Sequence, residues 1–388
     1  MTKPILFHRL ALAALPLLFW AGAAGACDLE RAGPGCDLTV LDQQLHLNDL
    51  QAVGTHNSYK QAMPPAELAA HHARDPGGAD GLDYAHPPLA AQLDEGARTI
   101  ELDVYYDPKG GHFAHPPGAL RKGYATSPWS PEAAAQMRHP GFKVMHLADI
   151  DFRSSCQTFV VCLVQIRNWS HAHRRHVPIM ILLNAKDGKG GPGAAAPMPF
   201  DERAFDALDA EVRSVFTPAE LITPDLVQGR HRNLREAVRA GAWPTLSAAR
   251  GKVFFVLDED AEKVAMYRGR RPSLEGRAMF VNTDEASPAA AYLTINDPVR
   301  DGERIRRDVA AGYLVRTRAD ADTAEARRND GTRREAAFAS GAQYVSTDYM
   351  HADARFGDYR VRLPADAAAR CNPVRQPDCH PSQGSAQP

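Results

Sequence analysis

Short apolar runs, rich in β-branched and aromatic residues, recur along the chain and alternate with segments of helical periodicity. Residues 50–56, 98–106, 142–146, 178–186, 252–258, 278–284, 312–320 and 343–348 read as strands. Between them, 89–96, 156–173, 200–216, 234–240, 302–311 and 322–340 read as helices. Such alternation predicts parallel strands covered by helices. Eight runs favour a closed (β/α)8 TIM-type barrel over an open doubly wound sheet, giving one α/β domain across residues 48–364. The stretch 107–141, full of Pro, Gly and His, is too long for an ordinary connection and is expected at the mouth of the barrel. Residues 189–199 read as a flexible loop after the fourth strand, and no internal repeat is visible.

The two ends have their own character. Residues 1–26 read as an export signal: Lys3 and Arg9 flank its start, 10–20 is apolar, and Ala24-Gly25-Ala26 fits the cleavage rule. That apolar core is too short to anchor in a bilayer, and no later segment is long and apolar enough to cross one. All six cysteines follow the signal, as the close pairs Cys27/Cys36, Cys156/Cys162 and Cys371/Cys379. An oxidising compartment makes local pairing the simplest connectivity, though the sequence leaves the others open. Lack of Cys-x-x-Cys spacing argues against zinc. The expectation is an exported protein, periplasmic or secreted, with a disulfide-stapled lead-in at 27–47 and a partly disordered tail at 365–388. Lipidation at Cys27 is the alternative; Ala24-Gly25-Ala26 suits it poorly and it would leave an odd thiol.

Composition changes the picture only by exclusion. With 388 residues, 44% hydrophobic and 24% charged, the chain can bury a large core. Its net charge is −2, or −4 once Lys3 and Arg9 leave with the signal, and no Lys/Arg run forms a nucleic-acid footprint.

The candidate chemistry lies at the strand ends, which face a common mouth in such a barrel. His56 and Asn57 end the first strand, Glu101 and Asp103 lie late in the second, His146 ends the third, and Asn184 and Lys186 end the fourth. Strand alternation puts Glu101 and Asp103 on one face, and likewise Asn184 and Lys186. Neighbouring carboxylates in a barrel interior repel unless a cation lies between them. Oxygen donors without thiolates favour Ca²⁺, with Mg²⁺ second.

Several strings resemble the bacterial branch of the calcium-dependent phosphatidylinositol-specific phospholipases C. They are Gly54-Thr55-His56-Asn57-Ser58-Tyr59, Ile100-Glu101-Leu102-Asp103-Val104, Val144-Met145-His146, the Cys156/Cys162 segment running into Trp169-Ser170, and residues 181–187. The likeness covers most of 47–349 and is most specific over the first four strands. It implies a (β/α) barrel with two histidines, His56 and His146, beside one Ca²⁺ held by Asn57, Glu101, Asp103 and Asn184. At the last position the eukaryotic enzymes have glutamate, so the ligand set here carries only −2 and the ion is expected to bind weakly until a phosphodiester adds charge. In the implied reaction the ring 2-hydroxyl attacks phosphorus, giving a cyclic phosphate and diacylglycerol. His56 is assigned to base or hydrogen-bond stabilisation, His146 to acid, and Lys186 to electrostatic stabilisation. Arg316 and Arg318 are placed on phosphate oxygens. His115 competes with His146 for the acid role, or contacts substrate.

The nearest rival is a glycerophosphodiester phosphodiesterase, but that family usually has His-Arg where this chain has His56-Asn57. A rival of another class is a non-catalytic barrel binding a lipid or sugar phosphate. The expected partner is a phospholipid or soluble phosphodiester, met by a monomer in transient contact with a membrane surface. His171, His173 and His176 lack the spacing of a helical metal pair and read as a solvated helix end. Trp129, Trp169 and Trp243 read as core.

Overall fold

The computed structural model describes residues 27–33, 36–120, 128–188 and 195–377. The expected signal at 1–26, most of the 189–199 loop, Cys379 and the end of the tail lie outside the described residues. Ten strands form two sheets among those described. In chain order they are β1 (Leu50–Thr55), β2 (Thr99–Tyr105), β3 (Lys143–Val144), β4 (Ile179–Ala185), β5 (Val253–Leu257), β6 (Met279–Val281), β7 (Tyr292–Thr294), β8 (Leu314–Arg318), β9 (Tyr344–Thr347) and β10 (Ala369–Cys371). One sheet runs β10-β1-β9-β8-β7, the other β3-β2-β4-β5-β6.

All pairings are parallel except those of the two edge strands, β10 on β1 and β3 on β2. Central strands such as β4 and β5 are buried along almost their whole length, as parallel strands covered on both faces must be. The sheets meet at two seams. Asn282, just past β6, bridges Tyr292 of β7, and the amide of Arg98 donates to Val53 O at 2.8 Å where β1 meets β2. Gly54 makes that second approach feasible: a Cβ there would lie 2.1 Å from Thr99 O.

Two strand expectations need correction. Residues 142–146 do not supply a third parallel strand; only Lys143–Val144 pairs, antiparallel to Val104–Tyr105. Apolar content cannot reveal pairing direction, and the long insert before this run brings it back as the return arm of a hairpin. The parallel strand not foreseen is β7, three residues preceded by the alanines 289–291, too short to stand out. The helix expected over 322–340 divides into Ala324–Arg328 and Thr332–Ser340. Between them Asn329 adopts a left-handed conformation (φ 50°), which Asn tolerates better than most residues.

One continuous apolar core fills the space between strands and helices, and a smaller one, built on Tyr105, Phe113, Met137, Met145 and Phe152, underlies the insert. The disulfide Cys156–Cys162 staples the start of the helix Phe159–Ala172, and Cys27–Cys36 closes the lead-in. Cys371 is also disulfide-bonded.

Candidate active site

The chain leaves β1 through a tight turn in which Asn57 is left-handed (φ 47°). This exposes one edge of the His56 ring, whose side chain keeps 19% of its surface open. Its Nδ1 donates to Asp348 Oδ1 at 2.7 Å, with the Tyr84 hydroxyl 3.2 Å from the same nitrogen. Asp348 follows directly after β9 and is buried. Nε2 therefore bears the lone pair, and it faces Arg318 Nη1 at 3.4 Å and Glu101 Oε1 at 3.6 Å. Burial, then the Arg318 cation, holds the His56 pKa well below the ordinary histidine value.

Glu101 and Asp103 project from β2, both buried, as the alternation required. The Asn184 amide of β4 bridges them: Nδ2 donates to Glu101 Oε1 at 3.1 Å and to Asp103 Oδ1 at 3.0 Å. Lys186 Nζ lies 2.9 Å from Asp103 Oδ2, and Arg316 Nη2 donates to Glu101 Oε2 at 2.6 Å. Burial works against the Lys186 charge, yet Asp103 and then Glu101 outweigh it and raise its pKa. Arg316 is itself buried, fixed further by Ser346 and Asn296. Arg318 donates to Asp348 Oδ2 at 3.0 Å, while its buried Nε has no hydrogen-bond partner among the described residues.

His146 repeats the arrangement of His56. Its Nδ1 lies 2.9 Å from Asp151 Oδ2, and its side chain is 21% exposed. The Tyr105 hydroxyl donates to its carbonyl at 2.9 Å, tying the loop to β2.

A family model described as phosphoinositide phospholipase C, Ca²⁺-dependent, matches residues 45–373. The chain belongs to that family. As a Ca²⁺-dependent phosphoinositide phospholipase C it is a phosphoric diester hydrolase. The fold agrees. A calcium-dependent phosphoinositol-specific phospholipase C from Pseudomonas sp, described as an apo form and myoinositol complex, aligns with a TM-score of 0.53 at 16% identity, covering 88% of this chain and 100% of its own. A second crystal form of the Pseudomonas enzyme gives 0.51 at 16%, covering 85% and 96%. The Streptomyces antibioticus phosphatidylinositol-specific phospholipase C gives 0.49 at 20%, covering 78% and 95%. No curated protein matches the sequence.

Membership in the phospholipase family implies calcium, and the donor chemistry fits it. Two carboxylate oxygens, Glu101 Oε1 and Asp103 Oδ1, approach a single atom of Asn184, and turning that amide puts its carbonyl oxygen at the same place. Among the described residues no group of three or more His, Cys, Asp or Glu side chains is arranged to hold a metal, so a hard cation here relies on amide oxygens as well. Asn57 lies beside His56 with its amide turned to the hydroxyls of Tyr59 (3.2 Å) and Tyr84 (2.8 Å).

The sequence reading overlooked the residues behind the histidines. Asp348 was legible in principle, since it closes the last expected strand. Asp151, Tyr84 and Lys60 belong to loops whose convergence nothing in the pattern announces. His115 stands exposed on the insert. Of the other histidines, His176 is buried against Ser170 rather than solvated, and His173 stacks on Trp169. Trp169 and Trp243 are buried in the core.

Proposed function

We propose that this phospholipase cleaves phosphatidylinositol-type phosphodiesters to diacylglycerol and a cyclic inositol phosphate, with His56 and His146 moving the protons. The observation that carries the reading is a repeated one. Two imidazoles, from different loops, each have Nδ1 held by a buried aspartate, which leaves each Nε2 for substrate.

His56, kept neutral by burial and by Arg318, takes the proton of the attacking 2-hydroxyl at Nε2. Asp348 orients the ring and stabilises the imidazolium that results. His146 donates a proton to the leaving alkoxide, with Asp151 in the orienting role. Lys186 and Arg318 hold phosphate oxygens and counter the charge that grows on them. Calcium, when bound by Glu101, Asp103, Asn184 and Asn57, supplies Lewis acidity toward hydroxyl and phosphate oxygens.

The two seams support a sheet closed into an eight-stranded barrel, with β3 and β10 as additions outside the cylinder. We read residues 1–26 as a removable signal ahead of the catalytic domain, and the protein as an exported monomer. The disulfides are in keeping with that compartment, and no helix among the described residues is long and apolar enough to cross a membrane.

Phosphorus NMR of the products from a panel of phosphodiesters tests the reaction, run with calcium and with chelator. A cyclic inositol phosphate formed only with calcium, and lost in both His56→Ala and His146→Ala, is the expected result. Free glycerol 3-phosphate as the main product, or activity surviving either substitution, would sink it.

A further inference from the structure

Lys60 directly follows the His56 loop and takes no part in the chemistry above. Its side chain is wholly buried, which lysine almost never is without a charged partner. Nζ lies 3.1 Å from Asp151 Oδ1 and donates to Tyr84 O at 3.0 Å. A buried ion pair offers little stability over well-packed apolar groups, so stability alone is a poor account of it.

Its position gives a better one. The other oxygen of Asp151 holds His146, and the hydroxyl of Tyr84 touches His56. The Lys60 backbone joins the same segments: His86 N donates to Lys60 O at 3.0 Å, and Lys60 bridges Ser154. Three loops that carry or back the two imidazoles thus meet at one residue.

We propose that Lys60 is a positioning residue that fixes the orientation and protonation of His146 by acting through Asp151. The proposal rests on His146 being the general acid. Burial disfavours the Asp151 carboxylate, but the Lys60 charge, then His146, outweighs it and lowers its pKa. Among the described residues, the charged and titratable groups set against His146 are Asp151 from its own loop, Lys60 beyond β1 acting on the other oxygen of Asp151, Tyr105 of β2 and, at longer range, Asp348 after β9. Of these described groups Lys60 is the cation, so its removal should let His146 keep its proton to higher pH.

The test uses the full chain as Lys60→Met, Asp151→Asn and the double variant. It reads the pH dependence of kcat/KM together with NMR titration of the His146 ring. In Lys60→Met both the alkaline limb and the ring titration should move up by about one pH unit. In Asp151→Asn both should move down. The double variant lacks both charges, and so should fold even where Lys60→Met does not; its ring should titrate about one unit above that of Asp151→Asn. An unchanged His146 titration between wild type and Lys60→Met, or between Asp151→Asn and the double variant where Lys60→Met is unfolded, overturns the proposal. An alkaline limb that persists in His146→Ala would instead overturn the acid assignment, while the ring titration still judges Lys60.

Discussion

His56 and His146 are oriented in the same way, by carboxylates that the fold buries and aims at Nδ1. A buried aspartate that only orients an imidazole should matter far more to turnover than to binding. Asp348→Asn is therefore expected to lower kcat by roughly 10²-fold or more with a much smaller change in KM, by analogy with other aspartate–histidine pairs. Steady-state kinetics on a soluble substrate checks this; a fall confined to KM would count against the role. Glu211 offers a residue-scale test of folding. Burial pushes its carboxyl up to about 7, although it accepts the Phe142 amide at 3.1 Å and faces the Lys143 charge. A carboxyl whose pKa is higher folded than unfolded binds more protons in the native state between the two values. Its contribution to stability must then fall as pH rises from about 4.3 to about 7. Glu211→Gln should flatten that slope, gaining more than ~1 kcal/mol relative to wild type at pH 8 compared with pH 5. Denaturant unfolding at the two pH values measures it.

Among the elements, β1 and β2 approach each other so closely that only glycine fits at position 54. Adding a methyl there sets carbon 2.1 Å from Thr99 O and 2.4 Å from Thr99 N, both backbone atoms that cannot swing aside. Gly54→Ala is expected to cost about 3 kcal/mol, at the upper end for overpacking, and to lower activity because His56 lies two residues on. Unfolding midpoints within about 0.5 kcal/mol of wild type would show that this seam is looser than described. The insert makes the opposite point. Its own small core, with Phe113, Met137, Met145 and Phe152, seats the loop that presents His146, so a segment with no regular pattern still places a candidate site residue.

At the scale of the molecule, the two sheets are joined through charge as well as through backbone. Arg316, from the β8 sheet, reaches Glu101, from the β2 sheet, while Lys186, just past β4 of that same second sheet, engages Asp103. The acid pair thus has protein cations at hand before any metal arrives. Calcium should bind weakly to the bare protein and more tightly with a soluble inositol phosphate, whose oxygens draw the cations away. Arg316→Gln should strengthen calcium binding to the bare protein by at least about tenfold in titration calorimetry, equivalent to ~1.4 kcal/mol. Tight binding to the bare wild type, or no gain on substitution, would refute this account.

The sequence by itself determined the α/β class, seven of the eight parallel strands, and the facing of Glu101, Asp103, Asn184 and Lys186. Each follows from local periodicity, which fixes where a side chain points along its own strand. It also exposed the loop motif around His56 and the close cysteine pairs. Tertiary structure alone decided the rest: that residues 142–146 return antiparallel, that a three-residue run at 292–294 is a full member of the sheet, and that Asp348, Asp151 and Lys60 stand behind the histidines. Most of those outcomes depend on contacts between residues tens to hundreds of positions apart, as His56 with Asp348. Asp151 is only five positions from His146 but on an irregular loop, and no local pattern of apolar and polar residues encodes which carboxylate meets which imidazole.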